Sequence, residues 1–261
     1  MNRKKENVVA IIQARNGSTR LNNKTMKSIA PGVSLIDLVV KKARETSLVG
    51  LVVVATTENS EDDCLVQWCN ENKIEVFRGN EKNVLERYYQ CSVKYNAEII
   101  VRITADDPFK DPQVNNQAIK LLIEKKYDYV SNTITPSFPE GLDIEVFTYA
   151  ALKCAYENAT LESEREHVTP YIWKNKKLFK ILNFEYSKDI SHLRWTIDYE
   201  EDLEFVRRVC KKLDIDNSFL MKDVLRVLKE NPEITKKQKN IIRNEGYIKS
   251  INEDKKNEKS W

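Results

Sequence analysis

Three short runs, Val8-Val9-Ala10-Ile11-Ile12, Leu51-Val52-Val53-Val54-Ala55 and Ile99-Ile100-Val101-Arg102-Ile103, are apolar at nearly every position. A strand that is apolar at odd and even residues alike has two faces to bury, the condition of a parallel sheet covered on both sides. Between the runs, Leu35 to Arg44, Glu61 to Asn72, Val84 to Tyr95 and Gln113 to Glu124 carry apolar residues three and four apart, the spacing of amphipathic helices. Ile74 to Phe77 and Tyr127 to Ser131 read as further strands. Strand and helix alternate through the first half, which predicts an α/β domain with a mostly parallel sheet.

The second half is less regular. Leu142 to Phe147 reads as an edge strand, and Tyr149 to Asn158 as a helix. Glu162 to Trp173 reads as a helix broken at Pro170. Phe179 to Phe184 and Leu193 to Ile197 look like strands, and Glu200 to Leu213 and Leu220 to Lys229 close the fold as helices. From Glu233 on, Lys, Asn and Glu dominate. One domain over residues 1–232 is therefore expected, with 233–261 a loosely attached charged tail, partly helical or disordered and fading near Lys255 to Trp261.

Composition excludes several classes. A net charge of +3 gives no global basic field, so nucleic acid is not an expected partner. Five cysteines without Cys-x-x-Cys spacing suggest neither a disulfide framework nor a zinc site; Cys64 and Cys69, in an apolar helical stretch, are expected to be buried thiols. No apolar stretch reaches the roughly 18 to 20 residues that span a bilayer, and the start of the chain has no long apolar core of a signal peptide. The expected location is the cytoplasm, away from membranes.

Ligands of open parallel sheets bind beyond the carboxyl ends of the strands, so the residues that follow each strand carry the functional reading. After the first comes Gln13-Ala14-Arg15-Asn16-Gly17-Ser18-Thr19-Arg20-Leu21-Asn22-Asn23-Lys24. Backbone amides at a small turn, hydroxyls and the cations Arg15, Arg20 and Lys24 suit a polyphosphate; the plainer alternative is a solvated surface loop. With glycines only at 17, 32, 50, 79, 141 and 246, neither Gly-x-Gly-x-x-Gly nor Gly-x-x-x-x-Gly-Lys can be drawn, which disfavours dinucleotide oxidoreductases and P-loop kinases. Thr104-Ala105-Asp106-Asp107-Pro108 follows another strand; paired carboxylates there suit a hard divalent cation, and equally an ordinary turn. Thr196-Ile197-Asp198 supplies a further carboxylate. Asp198, three residues before Glu201 at a helix start, also reads as an N-cap.

Ile12 to Leu21 with Lys24 resembles the nucleotide-binding signature of cytidylyltransferases that make CMP-activated acidic sugars, especially their spore-coat polysaccharide branch. The likeness continues in order through Val53-Ala55-Thr56-Thr57, Phe77-Arg78-Gly79 with Val84 to Tyr89, Val101 to Thr104, Asp128 to Asn132, Gly141 to Phe147, Ser163 to Tyr171 and Ser191 to Asp198. The resemblance implies a three-layer α/β/α nucleotidyltransferase fold, Rossmann-like and GT-A-like, usually dimeric, which moves CMP from CTP to a small-molecule acceptor and releases pyrophosphate. It implies that Arg15 and Lys24 hold the triphosphate with Ala14, Gly17, Ser18 and Arg20, while Thr56, Arg87 and Thr104 border the nucleotide. Asp106 and Asp198 would hold Mg²⁺, and Arg15, Lys24, Asp106 and Asp198 would form the catalytic set. Asp143, Glu145, Arg165, His167, His192 and Arg194 would face the acceptor, an acidic sugar or a compound bearing a phosphate or phosphonate. The chain departs from the family pattern at Asn22-Asn23, commonly Pro-Gly, and at Ala105, often Gly. Two other readings remain: a GT-A-type glycosyltransferase that consumes a nucleotide-sugar, and a non-catalytic nucleotide-binding protein.

Overall fold

The computed structural model describes residues 6–17, 20–237 and 241–258. In chain order the elements are β1 (Val8–Gln13), β2 (Ser28–Ala30), β3 (Val33–Ser34), α1 (Leu35–Arg44), β4 (Leu51–Thr57), α2 (Asp63–Glu71), β5 (Glu75–Gly79), α3 (Val84–Lys94) and β6 (Ile99–Thr104). There follow α4 (Pro112–Lys125), β7 (Tyr129–Ser131), β8 (Glu145–Thr148), α5 (Tyr149–Asn158), α6 (Glu162–His167), α7 (Pro170–Lys174), β9 (Ile181–Asn183), α8 (Glu200–Cys210), α9 (Met221–Glu230) and α10 (Glu245–Glu258).

Seven strands form one sheet in the order β5-β4-β1-β6-β8-β7-β9. The first four are mutually parallel, β8 runs antiparallel to both neighbours, and β9 pairs parallel with β7. The continuous apolar runs do what they must: along β1, Val8, Ala10 and Ile12 point into one core, and Val9 and Ile11 into the other. The first core gathers α1, α2, α4, α8 and α9, and the second α3, α5 and α7, giving three layers. Each fully buried Val or Ile in these layers contributes roughly 1.5–3 kcal/mol. Among the described residues no helix is long and apolar enough to cross a membrane.

Three expectations are corrected. Leu142 to Phe147 is not an edge strand: only its residues from Glu145 on are strand, in β8, which lies between β6 and β7. Val146 and Phe147 are both buried because sheet neighbours and helices enclose the strand on every side. Leu193 to Ile197 is not a strand; a single bridge from Arg194 to Glu140 is its only ladder contact among the described residues. Its apolar Trp195 and Ile197 are buried as a loop pressed on the core rather than by sheet pairing. Cys64 is exposed while Cys69 is buried, because α2 turns its Leu65–Cys69 stripe inward and leaves Cys64 outside it.

The segment after Glu233 returns to the body of the molecule. A 3-10 turn, Pro232–Lys237, leads on, and α10 packs against α6 with Ser250 and Asp254 buried. Of Lys255 to Trp261, where fading into disorder is expected, 255–258 form the last turn of α10, and 259–261 lie outside the described residues.

Candidate active site

The chain leaves β1 towards β4 on one side and later returns to β6 on the other, so strand order reverses between β1 and β6. The loops beyond their carboxyl ends splay apart there and leave a crevice.

The loop after β1 is fixed at Asn16. Its N–H donates to Asp62 Oδ1 at 2.7 Å, its amide nitrogen donates to the Glu61 carbonyl at 3.1 Å, and its side-chain oxygen accepts from Thr25 Oγ1 at 2.5 Å. Asp62 is fixed in turn by the Thr57 N–H at 3.2 Å. Ala14 is buried and donates its N–H to Ala55. With Asn16 held inward, Arg15 and Gly17 on either side face solvent; Arg15 Nη1 lies 3.7 Å from Glu81. Ser18, expected to assist the phosphate site, lies outside the described residues. Asn23 adopts φ 53°, a left-handed conformation that asparagine tolerates better than most residues, and this starts the short turn Lys24–Met26 that carries Lys24 inward.

Lys24 is the centre of the arrangement. Its Nζ donates to Asp106 Oδ2 at 2.8 Å, to the Ile197 carbonyl at 2.9 Å and to Asp198 Oδ1 at 3.2 Å. Burial works against its charge, but Asp106 and Asp198 outweigh burial and raise its pKa. Burial also opposes ionisation of Asp106, yet the Lys24 ammonium holds that carboxyl down at about 2. Adjacent Asp107 behaves oppositely: burial lifts it to about 6 despite Lys110 at 2.9 Å, and it accepts from Thr104 Oγ1 at 2.8 Å. Within this pair Asp107 takes the turn contact with Thr104, and Asp106 faces the Lys24 ammonium.

Asp198 does not cap the helix it precedes. Asp202 does so, its Oδ2 accepting from the Asp198 and Tyr199 N–H groups at 3.0 and 3.1 Å. The Asp198 carboxylate instead meets Lys24, Arg20 Nη2 at 2.5 Å and Arg194 Nη2 at 2.9 Å. Arg194 is nearly buried and also pairs with Glu140 at 2.7 Å and Asp202 at 3.1 Å, so it positions Asp198. The loop carrying Asp198 is pressed against Gly141, whose φ of +103° and 2.8 Å approach of an added Cβ to the Trp195 carbonyl carbon leave no room for a side chain.

Beyond Asp106 and Asp198 opens a cavity of about 430 Å³, within the size range of small-molecule sites. Asp143, Glu145, His167 and Arg194 line it, as does Thr104. Arg165 and His192 do not: both are exposed, and Arg165 donates to the Ala159 carbonyl. Glu145 is a buried hub that accepts from Arg102 Nη1 at 2.5 Å, Tyr129 Oη at 2.6 Å and Thr169 Oγ1. His167 and Thr169 both reach the cavity across Val168, whose φ of +72° is a strained conformation for a β-branched residue. On the other side of the loop, Arg87 is fully buried and its Nε and Nη2 have no hydrogen-bond partner among the described residues; Thr56 Oγ1 is also buried without one. Such atoms cost stability unless a ligand completes them.

Three groups were not foreseen from the sequence. Asn16 and Asp62 lie 46 residues apart, and nothing local marks the pair. Arg102 lies within a stretch of the family likeness but has no expected role, and Lys110 carries no motif. Ile242 and residues 244–247, in the charged tail, line the cavity, and Arg20 bonds Glu245 at 2.9 Å as well as Asp198.

Comparison with known proteins matches residues 9–251 to the family model described as Cytidylyltransferase. An uncharacterized protein of Methanocaldococcus jannaschii is 35% identical over 236 residues, 90% of this chain and 95% of that protein. The spore coat polysaccharide biosynthesis protein SpsF of Bacillus subtilis is 29% identical over 233 residues, 87% and 95% of the respective chains. Among solved structures, a cytidylyltransferase from Leptospira borgpetersenii superposes with a TM-score of 0.84 at 31% identity, covering 91% of this chain and all of that one.

Proposed function

Because the chain belongs to the cytidylyltransferase family, we propose that it transfers CMP from CTP to an acidic sugar or a phosphate- or phosphonate-bearing acceptor, releases pyrophosphate, and serves surface polysaccharide biosynthesis. The observation that carries this reading is the meeting of Lys24, Asp106 and Asp198 at the carboxyl ends of the central strands, between a basic loop and a small-molecule cavity.

The nucleotide lies on the loop side, with its phosphates against Arg15, Arg20, Lys24 and the loop amides. The buried, incompletely bonded Arg87 and Thr56 border the same side. The acceptor lies in the cavity. An acceptor oxygen attacks the α-phosphorus, the bond from that phosphorus to the β-phosphate oxygen breaks, pyrophosphate leaves, and the acceptor's proton passes to solvent. Negative charge builds on the α-phosphate oxygens, so the protein's task is to hold cations and reactants in place.

Asp106 and Asp198 are hard oxygen donors that already converge on one cation, the Lys24 ammonium. This donor set fits Mg²⁺, which commonly takes one or two carboxylates and completes its shell with water and phosphate oxygens. Bound there, Mg²⁺ would neutralise charge at the α-phosphate and orient the attacking oxygen. Arg194 keeps Asp198 aimed, and Lys24 balances the two acids. We propose further that the enzyme acts as a cytoplasmic homodimer, which light scattering on the purified protein checks.

The test is pyrophosphate release from CTP with Mg²⁺ and a panel of sugar acids, sugar phosphates and phosphonates, repeated with ATP, GTP and UTP. Turnover confined to CTP supports the reading, and Asp198→Asn, which also weakens the contacts with Lys24, Arg20 and Arg194, is expected to abolish it while the protein still folds. Equal use of all four triphosphates, or an active Asp198→Asn, would sink it.

A further inference from the structure

The cavity beyond Asp106 and Asp198 is closed on one side by a segment far away in sequence. Ile242, Asn244, Glu245, Gly246 and Tyr247, at the start of the carboxy-terminal arm, contribute to its lining. The arm is tied to residues of the cavity itself. Arg243 pairs with Asp143 and donates to the Phe138 carbonyl at 3.0 Å, the Asn244 N–H donates to Glu140 Oε1 at 3.3 Å, and Ser250 Oγ lies 3.0 Å from His167 Nε2.

Tyr247 is the largest side chain the arm brings. Its ring stands edge-on to His167 at 5.1 Å and to Trp173 at 5.8 Å, both of which also line the cavity, as does Pro170. These four side chains form one aromatic and aliphatic wall. Elsewhere the lining is mostly polar, with Arg102, Thr104 and Thr133, although Ile134 and Ile242 also contribute. A cavity with one apolar wall and hydrogen-bonding groups elsewhere matches a molecule with a carbon face and a polar rim, as a sugar ring has.

We propose that the carboxy-terminal arm is part of the acceptor site and that Tyr247 is a specificity-determining residue, its ring forming the wall against which the carbon face of a ring-bearing acceptor packs. The proposal rests on the cytidylyl-transfer reading, since that reading makes the cavity an acceptor site. Its physical logic is contact area: a ring-bearing acceptor buries more carbon surface against the Tyr247–Trp173 wall than a short acceptor without a ring.

The experiment measures binding of 3-deoxy-manno-octulosonate, N-acetylneuraminate and 2-aminoethylphosphonate by calorimetry, and separately of CTP with Mg²⁺, to the wild type, Tyr247→Ala and Tyr247→Phe. The expected result is that a sugar acid binds the wild type and Tyr247→Ala weakens it at least tenfold. Tyr247→Phe retains it within twofold, and all three proteins bind CTP alike. The phenylalanine rescue is expected because the Tyr247 hydroxyl has no hydrogen-bond partner among the described residues. Unchanged sugar-acid affinity in Tyr247→Ala overturns the proposal. So does an equal loss of CTP affinity, binding of the ringless phosphonate alone, or binding of no panel member. Sugar-acid binding with this pattern but no pyrophosphate release would instead count against the transfer reaction and leave the role of Tyr247 standing.

Discussion

At the scale of single residues, the site is a balance of charges that cannot be altered one at a time. Lys24 is 12% exposed at its side chain and is the ammonium shared by Asp106 and Asp198. Removing one partner of a buried ion pair leaves charge uncompensated and typically costs about 3–5 kcal/mol; partial solvent access here argues for the low end of that range. Lys24→Ala should therefore lose turnover and also melt at a lower temperature. Because the two acids would then repel, Mg²⁺ should raise the variant's melting temperature more than the wild type's. Melts with and without Mg²⁺ check this, and an equal response in both proteins would mean that the carboxylates do not share a cation.

His167 makes a second prediction at this scale. Burial lowers its pKa to about 4, against the opposing pull of Glu166, with Arg102, Glu145 and Asp254 also acting on it. The unfolded chain protonates this residue near pH 6.5 while the folded protein keeps it neutral. Its stabilising contribution is thus full above pH 6.5, declines as pH falls, and is gone below about 4. Thermal melts between pH 6.5 and 4 should fall less steeply for His167→Asn than for the wild type, by up to about 3 kcal/mol over the window. Parallel curves would exclude the shift.

At the scale of elements, loops packed on loops set the geometry. Asp198 is held by a segment that is neither helix nor strand, and Gly141 is the point against which that segment rests. Gly141→Ala places a methyl group 2.8 Å from a backbone carbon in a conformation that L-residues avoid. Neither neighbour is a flexible side-chain tip, so the loop must move. A loss of about 2–4 kcal/mol, with turnover falling far more than the fraction folded, is expected from urea melts and initial rates together. This contact also explains a sequence misreading: Leu193 to Ile197 looks like a strand because Trp195 and Ile197 are buried, and burial by a packed loop leaves the same apolar pattern. The strands β1, β4 and β6 were legible because a strand buried on both faces must be apolar throughout. The middle position of β8 was not, since a four-residue strand carries too little pattern to place it in a sheet.

At the scale of the whole molecule, two kinds of attachment coexist. The sheet is held by two apolar cores, whereas α10 is held largely by polar contacts, among them the part-exposed Arg20–Glu245 pair and Ser250 against His167. Surface ion pairs contribute roughly 0–1 kcal/mol each and weaken as salt screens them. Hydrogen exchange should show residues 245–258 opening far more readily than β1, β4 and β6, and doing so faster in high salt while the central strands do not change. Equal protection in the arm and the sheet would show that the arm is part of the core.

By itself the sequence determined the parallel sheet, the loop that follows its first strand, and the acids at Asp106 and Asp198, along with the family likeness that links them. Those are local properties: periodicity, turn chemistry and charge, each read within a dozen residues. Only the tertiary structure decided that Lys24 stands between the two acids, that Arg194 holds Asp198 while Asp202 caps the helix, and that the charged tail walls the cavity. Each of these joins residues through space that chain order leaves unconnected or assigns only generically. Hydrogen bonds and ion pairs leave no periodic trace in sequence, and their geometry exists only after the apolar cores have fixed the backbone.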